Sequence, residues 1–336
     1  MAITAKNGMF AGHAQRRENQ GRLTSPRHMK ILRPKVNLGR GGSSDCSSSL
    51  SNSSWGVNWT TEDYVEAHKA VKASGKFNYE GLRIPIPTAI RFDRIKEELG
   101  SEVSLKEERV LSLLEYGMPI GCKPNFGVKN RQKNNFSAVG FKDAIGEYLR
   151  KNVDSQAMLG PFKVAPIPNV CFSPLMSVPK DVGKRRIIVD FSFPAGKSIN
   201  DGISKSVYLE FEIEFCLPSE QSMVGRLNDL GPGCLLYKRD LAGAFRQFNS
   251  DPGDYNFTAV FWDGSIYLDT RLAMGLRSAA YCCQSVTEVI AKIVSKKAFV
   301  FVYLDDFGGA EKADRALSSF NHLAVHYFRV TCNAGT

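Results

Sequence analysis

The sequence has no long apolar run, no CxxC pair and no internal repeat, and its first 42 residues hold a single acid, Glu18. Each absence excludes a class. A membrane-spanning helix needs about 20 consecutive apolar residues, and no such stretch occurs; nothing near Met1 has the apolar core of a signal peptide. The eight cysteines include the adjacent pair Cys282-Cys283 but no metal-ligand spacing, which argues against a zinc ribbon and against a disulfide framework. Reduced thiols, an intracellular location with cytoplasm and nucleus both open, and no membrane partner are the expectation.

What is present is size and positive charge. The 336 residues are 43% hydrophobic, enough for a large core, and carry a formal net charge of +10. Basic chains usually meet nucleic acid or anionic surfaces. Nine basic residues stand against Glu18 before position 43, so most of the excess sits in that arm. Residues 1–56 read as a disordered basic arm that closes in a serine-rich run. It reads either as an electrostatic RNA binder or as an unstructured tail. A local basic stretch recurs at Lys123, Lys129, Arg131, Lys133, Lys142, Arg150 and Lys151.

Residues 57–134 read as a helical segment. Thr60 with Asp63 and Ser104 with Glu107 have the spacing of helix N-caps, and Gly117 followed by Pro119 is a stop signal. Ile84-Pro85-Ile86-Pro87 reads as extended chain between two helices. From 135 to 336 helix and strand signals alternate. The periodicity predicts a helix over 136–151, ended by Leu159-Gly160-Pro161-Phe162, and strands at 173–178 and 184–191 joined by the turn Asp181-Val182-Gly183. It then predicts a strand over 235–240, a turn or short helix over 242–248, and a hairpin of 257–261 with 265–268 around Asp263-Gly264. Last come a helix over 278–294, a strand over 298–304, and a helix over 313–328 with Leu317, Phe320, Ala324 and Tyr327 on one face.

Three segments in order carry the chemistry: Lys238-Arg239-Asp240-Leu241, then Leu272-Ala273-Met274-Gly275-Leu276-Arg277, then Tyr303-Leu304-Asp305-Asp306. Asp240 ends one predicted strand, and the Asp305-Asp306 pair follows another. Either element alone has a bland reading, a strand-end acid capping a turn or an acidic turn tip. Together, three carboxylates drawn from two distant strands suit a pair of divalent cations, the arrangement of metal-assisted nucleotidyl transfer.

On these motifs the stretch 162–328 resembles a reverse transcriptase. The resemblance implies an α+β palm-and-fingers polymerase fold with an antiparallel palm sheet, preceded by the helical segment and the arm. It implies catalytic and metal-binding Asp240, Asp305 and Asp306 with the Leu241 carbonyl as a further oxygen, and Mg²⁺ as cofactor in two sites, Mn²⁺ being an alternative. Arg186 matches the fingers arginine that meets the incoming dNTP, Lys180 and Lys184 compete for the accompanying lysine, and Met274 and Gly275 match the loop beside the templating pair. Gly275, Arg277 and Tyr303 would touch template and primer. Phe245, five positions after the first aspartate, matches the gate against a 2′-hydroxyl, with a core phenylalanine as the bland alternative. Ala273 and Ala280 stand where the family has proline.

Leu159-Gly160-Pro161-Phe162, Ser173-Pro174-Leu175, Phe191-Ser192-Phe193-Pro194, Ser198-Ile199-Asn200-Asp201 and Leu230-Gly231-Pro232-Gly233 are similar to DIRS-type retroelement enzymes, which accompany a tyrosine recombinase. The implied partners are an RNA template, a DNA or RNA primer and dNTPs, with ribonuclease H and recombinase domains in a full element. The resemblance places Thr336 before the family's thumb, so thumb absence is expected. The rivals are a truncated, inactive retroelement remnant with at most nucleic-acid binding, and an RNA-dependent RNA polymerase.

Overall fold

The computed structural model describes residues 34–35, 56–57, 86, 90, 92–123, 132–209, 211–215, 218–241 and 243–330. Of the predicted arm it describes one short antiparallel pairing, β1 (Pro34–Lys35) with β2 (Gly56–Val57). The expected cap at Thr60 and the basic residues Lys129 and Arg131 lie outside the described residues. The main elements begin with α1 (Phe92–Leu99), α2 (Leu105–Tyr116), α3 (Phe136–Val139), α4 (Lys142–Asp154), β3 (Met158–Phe162), β4 (Leu175–Asp181) and β5 (Lys184–Val189). They continue with β6 (Val207–Tyr208), β7 (Phe211–Glu212), α5 (Glu220–Leu230), β8 (Leu235–Asp240), α6 (Ala244–Gln247), β9 (Ala259–Trp262) and β10 (Ser265–Asp269). Last are α7 (Ala279–Ser295), β11 (Phe301–Tyr303), β12 (Asp306–Glu311) and α8 (Ala313–Val330).

The sheets are antiparallel and small. One runs β11-β12-β8, a second β3-β10-β9, and β4-β5 and β6-β7 are hairpins. Mixed helix and antiparallel sheet is the α+β class that the element pattern implies.

Local chemistry explains several boundaries. Ser104 and Glu107 close a reciprocal capping box at the start of α2. Gly117, at φ +89°, ends that helix where any Cβ would stand 2.8 Å from the Ser250 carbonyl. Beyond it the chain runs extended through the interior. Met118 N–H donates to the Asn249 carbonyl (2.9 Å), Ile120 N–H to the Asp254 carboxylate (2.9 Å), and the Ser278 hydroxyl to the Ile120 carbonyl (2.8 Å). Leu111, Leu114, Met118 and Ile120 therefore share one apolar core with Phe248, Val286, Ile290 and Phe307.

Four expectations need correction. The predicted helix over 136–151 is two helices, because the chain leaves helical geometry at Phe141 (φ −130°, ψ 55°). Leu159-Gly160-Pro161-Phe162, read as a stop, is most of β3 and pairs with β10; Gly160 permits the approach, since a Cβ there would lie 2.8 Å from the Ile266 carbonyl. The strand expected over 298–304 is only Phe301–Tyr303. On α8 the inward stripe is Ala316, Phe320 and Leu323, one step round from the predicted face, and Leu317 is 69% exposed. The side chains of Ala324 and Tyr327 lie outside the described residues.

Candidate functional site

β8 and β12 run antiparallel in the register Asp306↔Asp240, Phe307↔Arg239, Gly308↔Lys238, and β11 adds Tyr303↔Asp306. Directly opposed residues project to the same face of a sheet and alternate residues along a strand repeat it. Lys238, Asp240, Asp306 and Tyr303 thus share one face. The other face is covered: Tyr237 is buried with its hydroxyl donating to the Phe299 carbonyl (2.7 Å), and the Arg239 guanidinium lies over the Phe320 ring (4.1 Å).

Asp305 sits in the two-residue turn between β11 and β12, and its carbonyl accepts from Leu241 N–H (2.9 Å). That bond ties the end of β8 to the tip of the hairpin. The turn is strained, since Leu304 takes φ +53°, a conformation costing on the order of 1–3 kcal/mol outside glycine. A buried side chain of α7 holds it: Gln284 Oε1 accepts from Leu304 N–H (2.7 Å), while its amide nitrogen donates to the Val302 carbonyl (3.3 Å) and to Glu288 (3.1 Å). The glycines after the acidic pair are structural. A Cβ on Gly308 would collide with the Phe301 ring, and one on Gly309 with the Tyr237 ring.

The electrostatics follow from the crowding. Partial desolvation, then the charges of Asp305 and Asp306, push the Asp240 carboxyl above its ordinary range. The Lys238 ammonium lies 2.8 Å from Asp306 Oδ2, and that hydrogen bond raises the lysine further. Among the described residues no group of three or more His, Cys, Asp and Glu side chains forms a metal cage. What the face supplies is carboxylate oxygen, the donor type hard divalent cations take. The Leu241 carbonyl already accepts from Ala244 N–H (3.1 Å) and retains a second lone pair.

The loop residues divide by use. Met274 is 61% exposed and Tyr303 49%, whereas Arg277 is committed: its N–H donates to Asn200 Oδ1 (2.7 Å) and its guanidinium to the Ile203 carbonyl (2.7 Å). Asn200 also donates to the Gly275 carbonyl (2.8 Å) and to Ser192 Oγ (2.9 Å). It clamps the loop to the chain that follows β5. Gly275 has φ +101°, and a Cβ there would meet the Val189 carbonyl at 3.6 Å. Phe245 is buried in the main core, only 8% exposed.

In the β4-β5 hairpin, Lys184 and Arg186 are exposed on one face. Arg185 faces the other way, donating to the Ser177 carbonyl (2.8 Å) and hydroxyl (3.0 Å) and stacking on Phe141 (3.8 Å). Lys180 is exposed near the tip. Asn200 and Gln284 are the supporting residues that the sequence reading missed as site residues. For Gln284 the available signal was an amide directly after the apolar stretch Ala279-Ala280-Tyr281-Cys282-Cys283; Asn200, between Ile199 and Asp201, carried none.

No protein-family profile and no curated protein sequence matches the chain. Among solved structures it is similar to the prototype foamy virus protease-reverse transcriptase, at 14% identity and a TM-score of 0.48 over 74% of this chain. The chain spans 33% of that protein's length. The foamy viral protease-reverse transcriptase in complex with double-stranded DNA is similar at 16% identity and a TM-score of 0.46, covering 74% of this chain and 50% of the other. No helix among the described residues is long and apolar enough to cross a membrane.

Proposed function

We propose that the chain is the fingers-and-palm portion of a template-directed nucleotidyltransferase. Within that class we read it as the RNA-directed DNA polymerase of a DIRS-type retroelement, acting on an RNA template, a DNA or RNA primer and dNTPs. The observation that carries the reading is the pairing of Asp240 with Asp306 across β8 and β12, with Asp305 tied alongside by the Leu241 N–H bond.

Asp240, Asp305 and Asp306 would hold two Mg²⁺ or Mn²⁺ ions, which when bound supply charge neutralisation at the triphosphate and a more acidic primer 3′-hydroxyl. Arg186 and Lys184 offer a shared basic face to a triphosphate, with Lys180 near it, while Arg185 is spent on the hairpin itself. Exposed Met274 and Gly275 offer contact surface for the incoming dNTP, and Gly275 and Tyr303 for template and primer; Arg277 acts through the loop it fixes. The burial of Phe245 suits a core phenylalanine as well as a gate. Preference for dNTP over rNTP is therefore read directly in the assay.

That assay is primer extension on an RNA template with Mg²⁺ and the full chain. Asp240→Asn and Asp305→Asn should each lower incorporation by more than about a hundredfold, more than loss of a ligand's supporting groups costs, with unchanged thermal unfolding. Extension by either variant at the wild-type rate would remove the assigned role. A wild-type chain that folds yet extends no primer would favour the inactive-remnant reading.

A further inference from the structure

We infer that Lys238 is a built-in counter-charge of the carboxylate face, competing with divalent cations for Asp306 and setting the cation concentration at which the site fills. The inference rests on the reading of Asp240, Asp305 and Asp306 as cation ligands and adds to it a residue the motif comparison left without a role.

Strand alternation puts Lys238 on the same face as Asp240, two residues earlier on β8. Its register partner is Gly308, where the place of a Cβ is taken by the ring of Phe301 from β11. The ammonium crosses the ladder diagonally and pairs with Asp306 Oδ2 at 2.8 Å, and both side chains remain open to solvent, at 58% and 37%. Neighbouring Arg239 cannot substitute for it, because that guanidinium is turned to the opposite face and stacked on Phe320. An ammonium on a flexible stem is a mobile point charge that releases one partner for another without rebuilding the fold. A divalent cation taking up Asp306 must therefore draw its carboxylate away from Lys238 and sit near a positive charge. The lysine neutralises part of the acidic cluster, whose members otherwise repel one another, and in doing so it weakens cation capture.

The probe is Mn²⁺, its free concentration followed by electron paramagnetic resonance as the full-length chain is titrated. Lys238→Met should tighten Mn²⁺ binding on the order of tenfold, the scale of a unit charge repelling a divalent ion at several ångströms in water. Lys238→Arg, which keeps the charge, should stay within about threefold of wild type. In an Asp306→Asn background the gain from Lys238→Met should shrink, because the competition for that carboxylate is gone and only the through-space repulsion remains. Melting without divalent ions should fall in Lys238→Met and recover on adding Mn²⁺. A lysine with a purely structural role would shift melting and leave Mn²⁺ affinity where it was, and that result overturns the inference. Lys238→Gln provides the same test if the methionine variant does not fold. If the wild-type chain binds Mn²⁺ no better than Asp240→Asn does, the cation-ligand reading fails and this inference with it; normal wild-type binding with an unmoved Lys238→Met defeats the inference alone.

Discussion

Arg185 and Arg186 alternate across β5, so adjacent residues of one type have different work. Arg185 makes hydrogen bonds to Ser177 and a stacking contact on Phe141, while Arg186 stands exposed beside Lys184. Arg185→Ala should lower stability by about 1–3 kcal/mol through the lost hydrogen bonds and cation–π contact. Arg186→Ala should leave melting unchanged and raise the KM for dNTP about tenfold, the loss of one charge-assisted phosphate contact. Paired measurements of melting and steady-state incorporation check both, and the reverse pattern would exchange the two roles. From the sequence, the motif alone favoured Arg186; what the letters did not carry was the use of Arg185, because that depends on Phe141 and Ser177 arriving from elsewhere. The placement of Asp240 at the end of β8 and of Asp305 and Asp306 at the β11-β12 turn was legible because the apolar run before each marks a strand that ends there. Gln284 and Asn200 were not, since their importance comes from long-range contacts to Leu304 and to Gly275.

At the level of elements, strands with strong alternation or a clear turn were read well, and β8 has the bounds that its sequence predicts. The failures share a physical cause. β3 contains glycine and proline and forms because β10 is there to pair with it, while the α8 stripe keeps helical spacing and is turned one position by its packing on β8 and β12. Contacts between elements also give the clearest pH dependence. Glu107 at the start of α2 pairs with Lys292 of α7 at 2.5 Å and accepts from Ser104 N–H at 2.7 Å. Burial alone would push its carboxyl up, but the lysine and the serine bonds outweigh it and hold the group below the usual 4.5. A carboxylate depressed in the folded state contributes stability that is complete above its unfolded pKa and is lost as pH falls through the folded value. Glu107→Gln should thus flatten the acid limb of stability below 4.5 and cost about 1–3 kcal/mol near neutrality, where Lys292 loses its partner. Denaturant titrations of both proteins across that range are the check, and parallel acid limbs would exclude the pair as the source.

For the whole molecule, the sequence divides at about position 134 by pattern, helical before and mixed after, yet the core does not divide there. Leu111, Leu113, Leu114, Met118 and Ile120, all nearly or fully buried, pack in one cluster with residues from α7, β12 and the chain after α6. Main-chain bonds from Met118 and Lys123 to Asn249 and Gly202 stitch the two stretches further. Each such side chain contributes about 1.5–3 kcal/mol when buried, so these five together match the roughly 5–15 kcal/mol by which whole domains are stable. Sequence periodicity finds α2 but cannot reveal that its apolar face completes the bed on which α7 lies, and α7 in turn fixes the turn carrying Asp305 through Gln284. A chain starting at Asn135 should therefore show no cooperative thermal transition and should expose apolar surface to a dye, whereas the full chain should melt in one step. Leu114→Ala with Met118→Ala in the full chain offers a milder version, expected to lose about 4–8 kcal/mol in total and, at temperatures where it still folds, to weaken primer extension more than folding alone explains. A fragment from Asn135 that melts cooperatively at the full chain's temperature would show that the segment before it only decorates the site instead of building it.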